Sequence, residues 1–308
     1  MRYAVLFPGQ GSQSVGMGAD VFAERSDLLG AATDDVLGWS LAGLCARGPE
    51  SELTRTRKAQ PALYAVAYAL WEAFSGAVSH PPTAAAGHSL GEYTALAAAD
   101  AMDFATGLRL VAARGAAMES AAEASSSGMA ALIGVDQVTA ESIATDRRDQ
   151  GGHLWVANLN APGQIVVAGG AADIAWLGEH RGELGVRRVI PLNVAGAFHT
   201  PIMAPAAADL GSALAAVSFR TPRFDVYANV TARPIEDIPA TLAEQLTTPV
   251  RFSESLQAMA DAGVEAFVHI GPGDVTTGMA KRTVKGTAVL VVSSLDDVSA
   301  AVAALAVQ

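Results

Sequence analysis

Short apolar runs closed by glycine or proline alternate along the chain with longer stretches whose apolar positions recur at helical spacing. "RYAVLF" (2–7) reads as a buried strand stopped by "PGQG". Helical spacing follows over about 16–46 and 60–76, and "TAAAG" (83–87) reads as a second strand. Two alanine-rich helices are predicted near 90–100 and 103–122. Strands alternating with helices imply a mainly parallel sheet covered on both faces.

At "EASSSG" (123–128), which reads as a linker, the rhythm changes. There follow a strand "MAALIGV", a helix over 136–149, a strand "HLWVANL", a turn "NAPG", a strand "QIVVAG", a helix over 171–184 and a strand "VRRVIPLNV". That β-α-β-β-α-β order is ferredoxin-like. From "AGAFHTPIM" onward the first rhythm returns, with a helix to about 217, a strand "FDVYANV" and helices over 239–262. A strand "EAFVHI" then runs into "GPG", followed by a helix, the strand "AVLVVS" and a closing helix. The expectation is an α/β fold: an α/β-hydrolase-like large domain of residues 1–125 and 196–308, interrupted by a small ferredoxin-like domain of residues 126–195.

Composition narrows the function classes. At 308 residues, 51% apolar and only 17% charged, the chain can bury a large core. Its net charge of −11 disfavours nucleic acid and anionic membranes, whose phosphates it would repel. A single cysteine, Cys45, excludes an intrachain disulfide, and no run approaches a membrane span or a signal peptide. A soluble, cytoplasmic, monomeric protein is expected, with no metal and no bound cofactor.

The candidate chemistry centres on "GHSLGE" (87–92). A serine between glycines at a strand-to-helix corner is the pattern of a nucleophile elbow, with the next N–H (that of Leu90) at a helix N-terminus where it can stabilise an oxyanion. The same pattern also describes a helix N-cap serine. The "FPGQGSQ" turn (7–13) lacks the residues of a phosphate loop, and the Gln10 N–H there is a candidate second oxyanion donor. Of six histidines, His199 lies where the chain re-enters the large domain, and by elimination it is the candidate base. His269 falls inside a strand and His88 beside the serine, where side chains diverge. Arg114, on an alanine-rich helix, either reaches solvent or grips a carboxylate. The acids between Ser89 and His199 are badly placed for a hydrolase triad. Asp173, Glu179 and Glu183 fall in the insert, and Glu92, Asp100 and Asp103 lie too close to the elbow.

Taken together, "FPGQGSQ", "QPAL" (60–63), "GHSLGEYTAL", "RG" (114–115), "NAPGQIVVAG" (160–169), "AFH" (197–199), "PVRF" (249–252) and "GPG" (271–273) resemble malonyl-CoA:acyl carrier protein transacylases and related polyketide acyltransferases. The resemblance implies that Ser89 carries the malonyl group as an ester and that His199 is its base. Gln10 and Leu90 would supply oxyanion N–H groups, and Arg114 would bind the malonyl carboxylate. Gln60 and Phe198 would line the pocket, and the backbone carbonyl of Arg251 would orient the histidine. Malonyl-CoA would be the substrate, and the phosphopantetheine thiol of an acyl carrier protein the acceptor. "AFH" is similar to malonyl-selecting enzymes, whereas fatty-acid and trans-acting polyketide enzymes share all the motifs, so a substituted-malonyl substrate stays open. A serine thioesterase using water as acceptor is the other enzyme reading. Because carrier proteins are typically acidic, the densest basic residues (Arg187 with Arg188, and Lys281, Arg282 and Lys285) are the candidate docking surface.

Overall fold

The computed structural model describes residues 1–306. Nine strands form two sheets: β1 (Tyr3–Phe7), β2 (Ala84–Gly87), β3 (Ser127–Ile133), β4 (Leu154–Ala161), β5 (Gln164–Gly170), β6 (Arg188–Pro191), β7 (Asp225–Tyr227), β8 (Ala266–Ile270) and β9 (Ala288–Val292). The larger sheet is wholly parallel, in the order β7-β2-β1-β8-β9. Its centre, β1, is buried along its whole length, as a parallel strand covered on both faces must be. Tyr3, Val5 and Phe7 point into a core shared with the helix Thr56–Ala77. Ala4 and Leu6 point the other way, onto the helices Phe252–Asp261 and Val275–Thr283.

The smaller sheet is antiparallel in the order β4-β5-β3-β6 and is drawn entirely from residues 127–191. Leu132, Leu159, Ile165 and Val167 pack on its two helices, Gln137–Asp149 and Ala171–His180. The opposite face presents Met129, Ala131 and Val166 to the larger sheet across a cleft. The two sheets are stitched at Val250, whose N–H donates to Ala157 and whose carbonyl accepts from Leu159. Beside it, the Arg251 N–H donates to the carbonyl of Asn229.

Several elements are shorter than the sequence pattern predicts. The helical stretch 16–46 is four short helices, Ala19–Glu24, Ser26–Leu29, Ala31–Leu37 and Leu41–Arg47, separated at Arg25, Gly30 and Gly38. Glycine in the left-handed region at Gly38 ends a helix at little steric cost. The stretch 239–262 is likewise two helices, Ile238–Glu244 and Phe252–Asp261, with an irregular break between them. The linker is only 124–126, since β3 begins at Ser127. Among the described residues no helix is long and apolar enough to cross a membrane.

β2 turns into the helix Gly91–Ala98 through an elbow so tight that side chains are excluded around it. A Cβ on Gly91 would lie 2.3 Å from the Phe7 carbonyl oxygen, and one on Gly87 would lie 1.8 Å from the Gly91 carbonyl carbon. Gly91→Ala is therefore expected to lower unfolding stability by about 1–3 kcal/mol through backbone displacement. Urea titration against the unsubstituted protein checks it, and an unchanged midpoint would mean the elbow has slack.

Candidate active site

The elbow holds Ser89 at φ 52°, in the left-handed region. A non-glycine residue there costs of order 1–3 kcal/mol, which the surroundings must offset. They do so through Asn229: its Oδ1 accepts from the Ser89 N–H at 2.7 Å and its Nδ2 donates to the Gly87 carbonyl at 2.7 Å. The strained turn is clamped by one buried amide, and the hydroxyl projects into the cleft.

His199, also at positive φ (60°), approaches from the chain's return out of the smaller sheet. Its Nε2 lies 2.8 Å from Ser89 Oγ, and its Nδ1 lies 2.8 Å from the backbone carbonyl of Gln245. Nδ1 must donate to that carbonyl, which leaves Nε2 to accept the serine proton. Burial, with help from the Arg114 cation, depresses the imidazole to about 3, so it is neutral and ready as a base at pH 7. Gln245 immediately follows the helix Ile238–Glu244, where the last carbonyls have no intrahelical partner. An orphan carbonyl at the negative end of a helix suits a ring that becomes cationic during reaction.

This corrects the sequence reading, which gave the orienting carbonyl to Arg251. Arg251 begins the next helix; its backbone N–H bonds Asn229 and its guanidinium pairs with Glu254. Among the described residues no acid stands behind the histidine. Asp173 pairs with Arg147 at 2.6 Å, and Glu92 is buried against Gln245 and Asn229.

Arg114 is fully buried, not solvated. Its Nη2 donates to Ser89 Oγ at 3.0 Å and to Gln245 Oε1 at 2.9 Å. Its Nε and Nη1 are buried with no acceptor. Burial pulls this guanidinium below its ordinary range, yet an arginine stays charged. A buried cation with idle donors, held against a candidate nucleophile, is a site for an anionic group on whatever the serine attacks.

The cleft holds about 220 Å³ and brings together Ser89, His199, Arg114, Gln60, Phe198, Gln10 and Leu90. The backbone N–H groups of Gln10 and Leu90 have no bond to a backbone or side-chain acceptor among the described residues, as an oxyanion pair requires. The roof, from the smaller sheet, adds Asn158, Asn160 and Gln164. His88 makes no bond to Ser89; it lines the cleft with Nε2 2.7 Å from Asn160 Oδ1. His269 is a satisfied core histidine, bonded to Thr276 and the Gly271 carbonyl.

The basic candidates are all exposed. Lys281 and Arg282 end a helix whose Val275 and Met279 line the cleft, and Arg282 donates to Gln164 at 2.6 Å. Gln164 pairs with Ile133, which pairs with Arg188, so Arg188 and Arg282 flank one rung of the smaller sheet. One member of each basic cluster, Arg188 and Arg282, thus lies at the same end of the smaller sheet.

Sequence reasoning missed Gln245 and Asn229 and weighed Glu92 only as a triad acid; all three are buried. The available signal was the helix stop at "TTP" (247–249), which announces orphan carbonyls just before it.

A family model described as the acyl transferase domain matches residues 5–305. The chain is 38% identical over 309 residues to the malonyl CoA-acyl carrier protein transacylase of Bacillus subtilis (strain 168), covering 99% of this chain and 97% of that protein. It is 40% identical over 286 residues to the polyketide biosynthesis malonyl CoA-acyl carrier protein transacylase PksC of the same organism, covering 91% and 96%. Its fold matches, with TM-score 0.93 and 35% identity over 99% of this chain and 100% of the other, the malonyl-transacylase PlMCAT solved in complex with the type II PKS acyl-carrier protein AntF.

Proposed function

The chain belongs to the acyl transferase domain family, among malonyl CoA-acyl carrier protein transacylases, and on that premise we propose that it moves malonyl from malonyl-CoA to a carrier protein through an ester on Ser89. The observation that carries this reading is Arg114: a buried guanidinium bonded to the nucleophile's oxygen, with three N–H donors on Nε and Nη1 left for a carboxylate. A hydrolase of simple esters has no use for such a group.

In the first half-reaction Ser89 Oγ attacks the thioester carbonyl while His199 Nε2 takes its proton. The oxyanion forms against the Gln10 and Leu90 N–H groups. The tetrahedral centre collapses, the carbon–sulfur bond breaks, and His199 returns the proton to the departing CoA sulfur. In the second half the phosphopantetheine thiol gives its proton to His199 and attacks the malonyl ester. Ser89 leaves with that proton and is regenerated. No acid is needed behind His199, because the Gln245 carbonyl fixes the tautomer. Phe198 is buried at the cleft wall, and the likeness of its "AFH" context to malonyl-selecting enzymes supports malonyl over branched analogues. The unit 126–195, read as a ferredoxin-like domain, roofs the cleft of a catalytic domain formed by 1–125 and 196–308. The enzyme works as a monomer, with no cofactor of its own.

Intact-mass analysis after mixing with malonyl-CoA and then holo-carrier protein tests the reading. A malonyl adduct that the carrier discharges supports transfer. Turnover to free malonate would make it a hydrolase, and absence of any adduct would defeat both.

Arg187, Arg188, Lys281, Arg282 and Lys285 form the docking edge for the acidic carrier. Reversing Lys281 and Arg282 to glutamate is expected to raise KM for carrier protein about tenfold while leaving malonyl-CoA loading unchanged. Steady-state kinetics with each substrate varied checks this, and an unchanged carrier KM removes the pair from the interface.

A further inference from the structure

We propose that Glu92 is a positioning residue for the malonyl carboxylate, balancing Arg114 through the amide of Gln245 and taking up a proton when the substrate carboxylate arrives. This rests on the reading of Arg114 given above and adds a second acid–base group to the site.

Among the described residues, Arg114 has no carboxylate within ion-pair distance. Its link to an acid runs through one amide: Arg114 Nη2 donates to Gln245 Oε1 at 2.9 Å, and Gln245 Nε2 donates to Glu92 Oε2 at 2.6 Å. The amide is thereby aligned head to tail, with its oxygen toward the cation and its nitrogen toward the acid. A carboxylate touching Arg114 directly would consume the donors that substrate needs. Held one amide away, Glu92 offsets the buried charge and leaves Nε and Nη1 idle.

The charge count then demands a proton. Arg114 and ionised Glu92 together are neutral; a malonyl carboxylate brings a third charge into a dry site and leaves it net negative. Such a site relaxes by protonating its most basic acid. The charged and titratable groups facing Glu92 are Arg114 from the helix Phe104–Glu123 and Tyr93 from its own helix, and the imidazoles of His199 and His88 line the cleft beyond them. Both imidazoles are neutral at pH 7 because burial lowers them, and burial keeps the Tyr93 phenol protonated. Burial lifts Glu92 to about 7, which makes it the group able to respond near neutrality. Its Oε1 has no partner, so a proton there disturbs neither the Gln245 bond nor the Asn229 N–H bond at 3.1 Å, both of which end on Oε2.

The sign follows. Malonyl-CoA binds better to the enzyme with Glu92 protonated, so its KM is low below pH 7 and rises above it. The rise is about tenfold for each unit by which bound malonyl raises the Glu92 pKa. Acetyl-CoA, lacking the carboxylate, shows no such rise. Glu92→Gln retains an acceptor for Gln245 and Asn229 and is neutral at every pH, so its malonyl KM should be flat between pH 6 and 8.5. Glu92→Ala frees the Gln245 amide to turn its nitrogen toward Arg114 and should lower the malonyl-to-acetyl preference at every pH.

The experiment is Ser89 acylation by malonyl-CoA and by acetyl-CoA over that range, in the full chain and both variants. An identical malonyl pH dependence in the full chain and Glu92→Gln, with malonyl still preferred over acetyl, overturns the inference alone. Absence of a malonyl preference in the unsubstituted protein would instead overturn the reading of Arg114. Should Glu92→Gln fail to fold, indicator-dye proton uptake on stoichiometric malonylation of the unsubstituted protein at pH 7.5 decides: esterification itself consumes no proton, so uptake supports Glu92 and its absence rejects it.

Discussion

Ser89→Ala is expected to leave no malonyl adduct and to lower malonylation of the carrier protein by roughly 10⁴- to 10⁶-fold. The reason is geometric. Among the described residues, Ser89 Oγ is the one hydroxyl that meets both His199 Nε2, at 2.8 Å, and Arg114 Nη2, at 3.0 Å. Proton removal and attack both pass through that atom, so nothing at the site replaces it. His199→Ala should fall in the same range, and the double variant should be hardly worse than either single one, because nucleophile and base act as a unit. Intact mass and single-turnover rates read the loss, with circular dichroism verifying the fold. Alanine at 89 gives up the bonds to the base and the arginine but keeps the Asn229 clamp, which holds the backbone. A malonyl adduct persisting in Ser89→Ala would move the nucleophile elsewhere.

Arg114→Ala should lower malonyl loading, and with it the malonyl-to-acetyl ratio, by roughly 150- to 5,000-fold. This is the scale of stranding a buried charge without its partner, about 3–5 kcal/mol. Here the stranded charge is the substrate's carboxylate. Two further losses belong to the same change: Ser89 Oγ and Gln245 Oε1 each lose a donor. Arg114→Lys should recover little, since a single ammonium cannot reach the serine, the amide and a carboxylate at once. Competition between malonyl-CoA and acetyl-CoA for Ser89 measures the ratio, and an unchanged ratio in Arg114→Ala would remove the arginine from substrate selection.

Residues that speak through their side chains were legible beforehand; those that speak through the backbone were not. Ser89 is marked by its flanking glycines, His199 by its place at the chain's return, and Arg114 by the resemblance, although its helix suggested a solvated residue. Gln245 acts on the base through a carbonyl that every residue possesses, so no residue type marks it, and the expectation settled on Arg251 six positions away. Glu92 was judged too near the elbow to stand behind a histidine, and it does not. It stands behind the side-chain amide of Gln245, the residue whose backbone carbonyl does so, which requires the fold to bring residues 92 and 245 together. The strands were well signalled because burial on both faces gives continuous apolar runs, as in β1 and β8. The long helical readings failed at Arg25, at two glycines and before Pro249, and the cut between residues 244 and 252 holds the carbonyl that bonds the His199 ring.

That same short segment couples two things otherwise separate. At one end the Gln245 carbonyl aims the imidazole; five residues later Val250 is laced into the edge strand of the smaller sheet at Ala157 and Leu159. Cleft geometry and proton transfer therefore share one piece of backbone. A substitution that shifts the Val250 seam is therefore expected to disturb the His199–Gln245 bond as well as the roof.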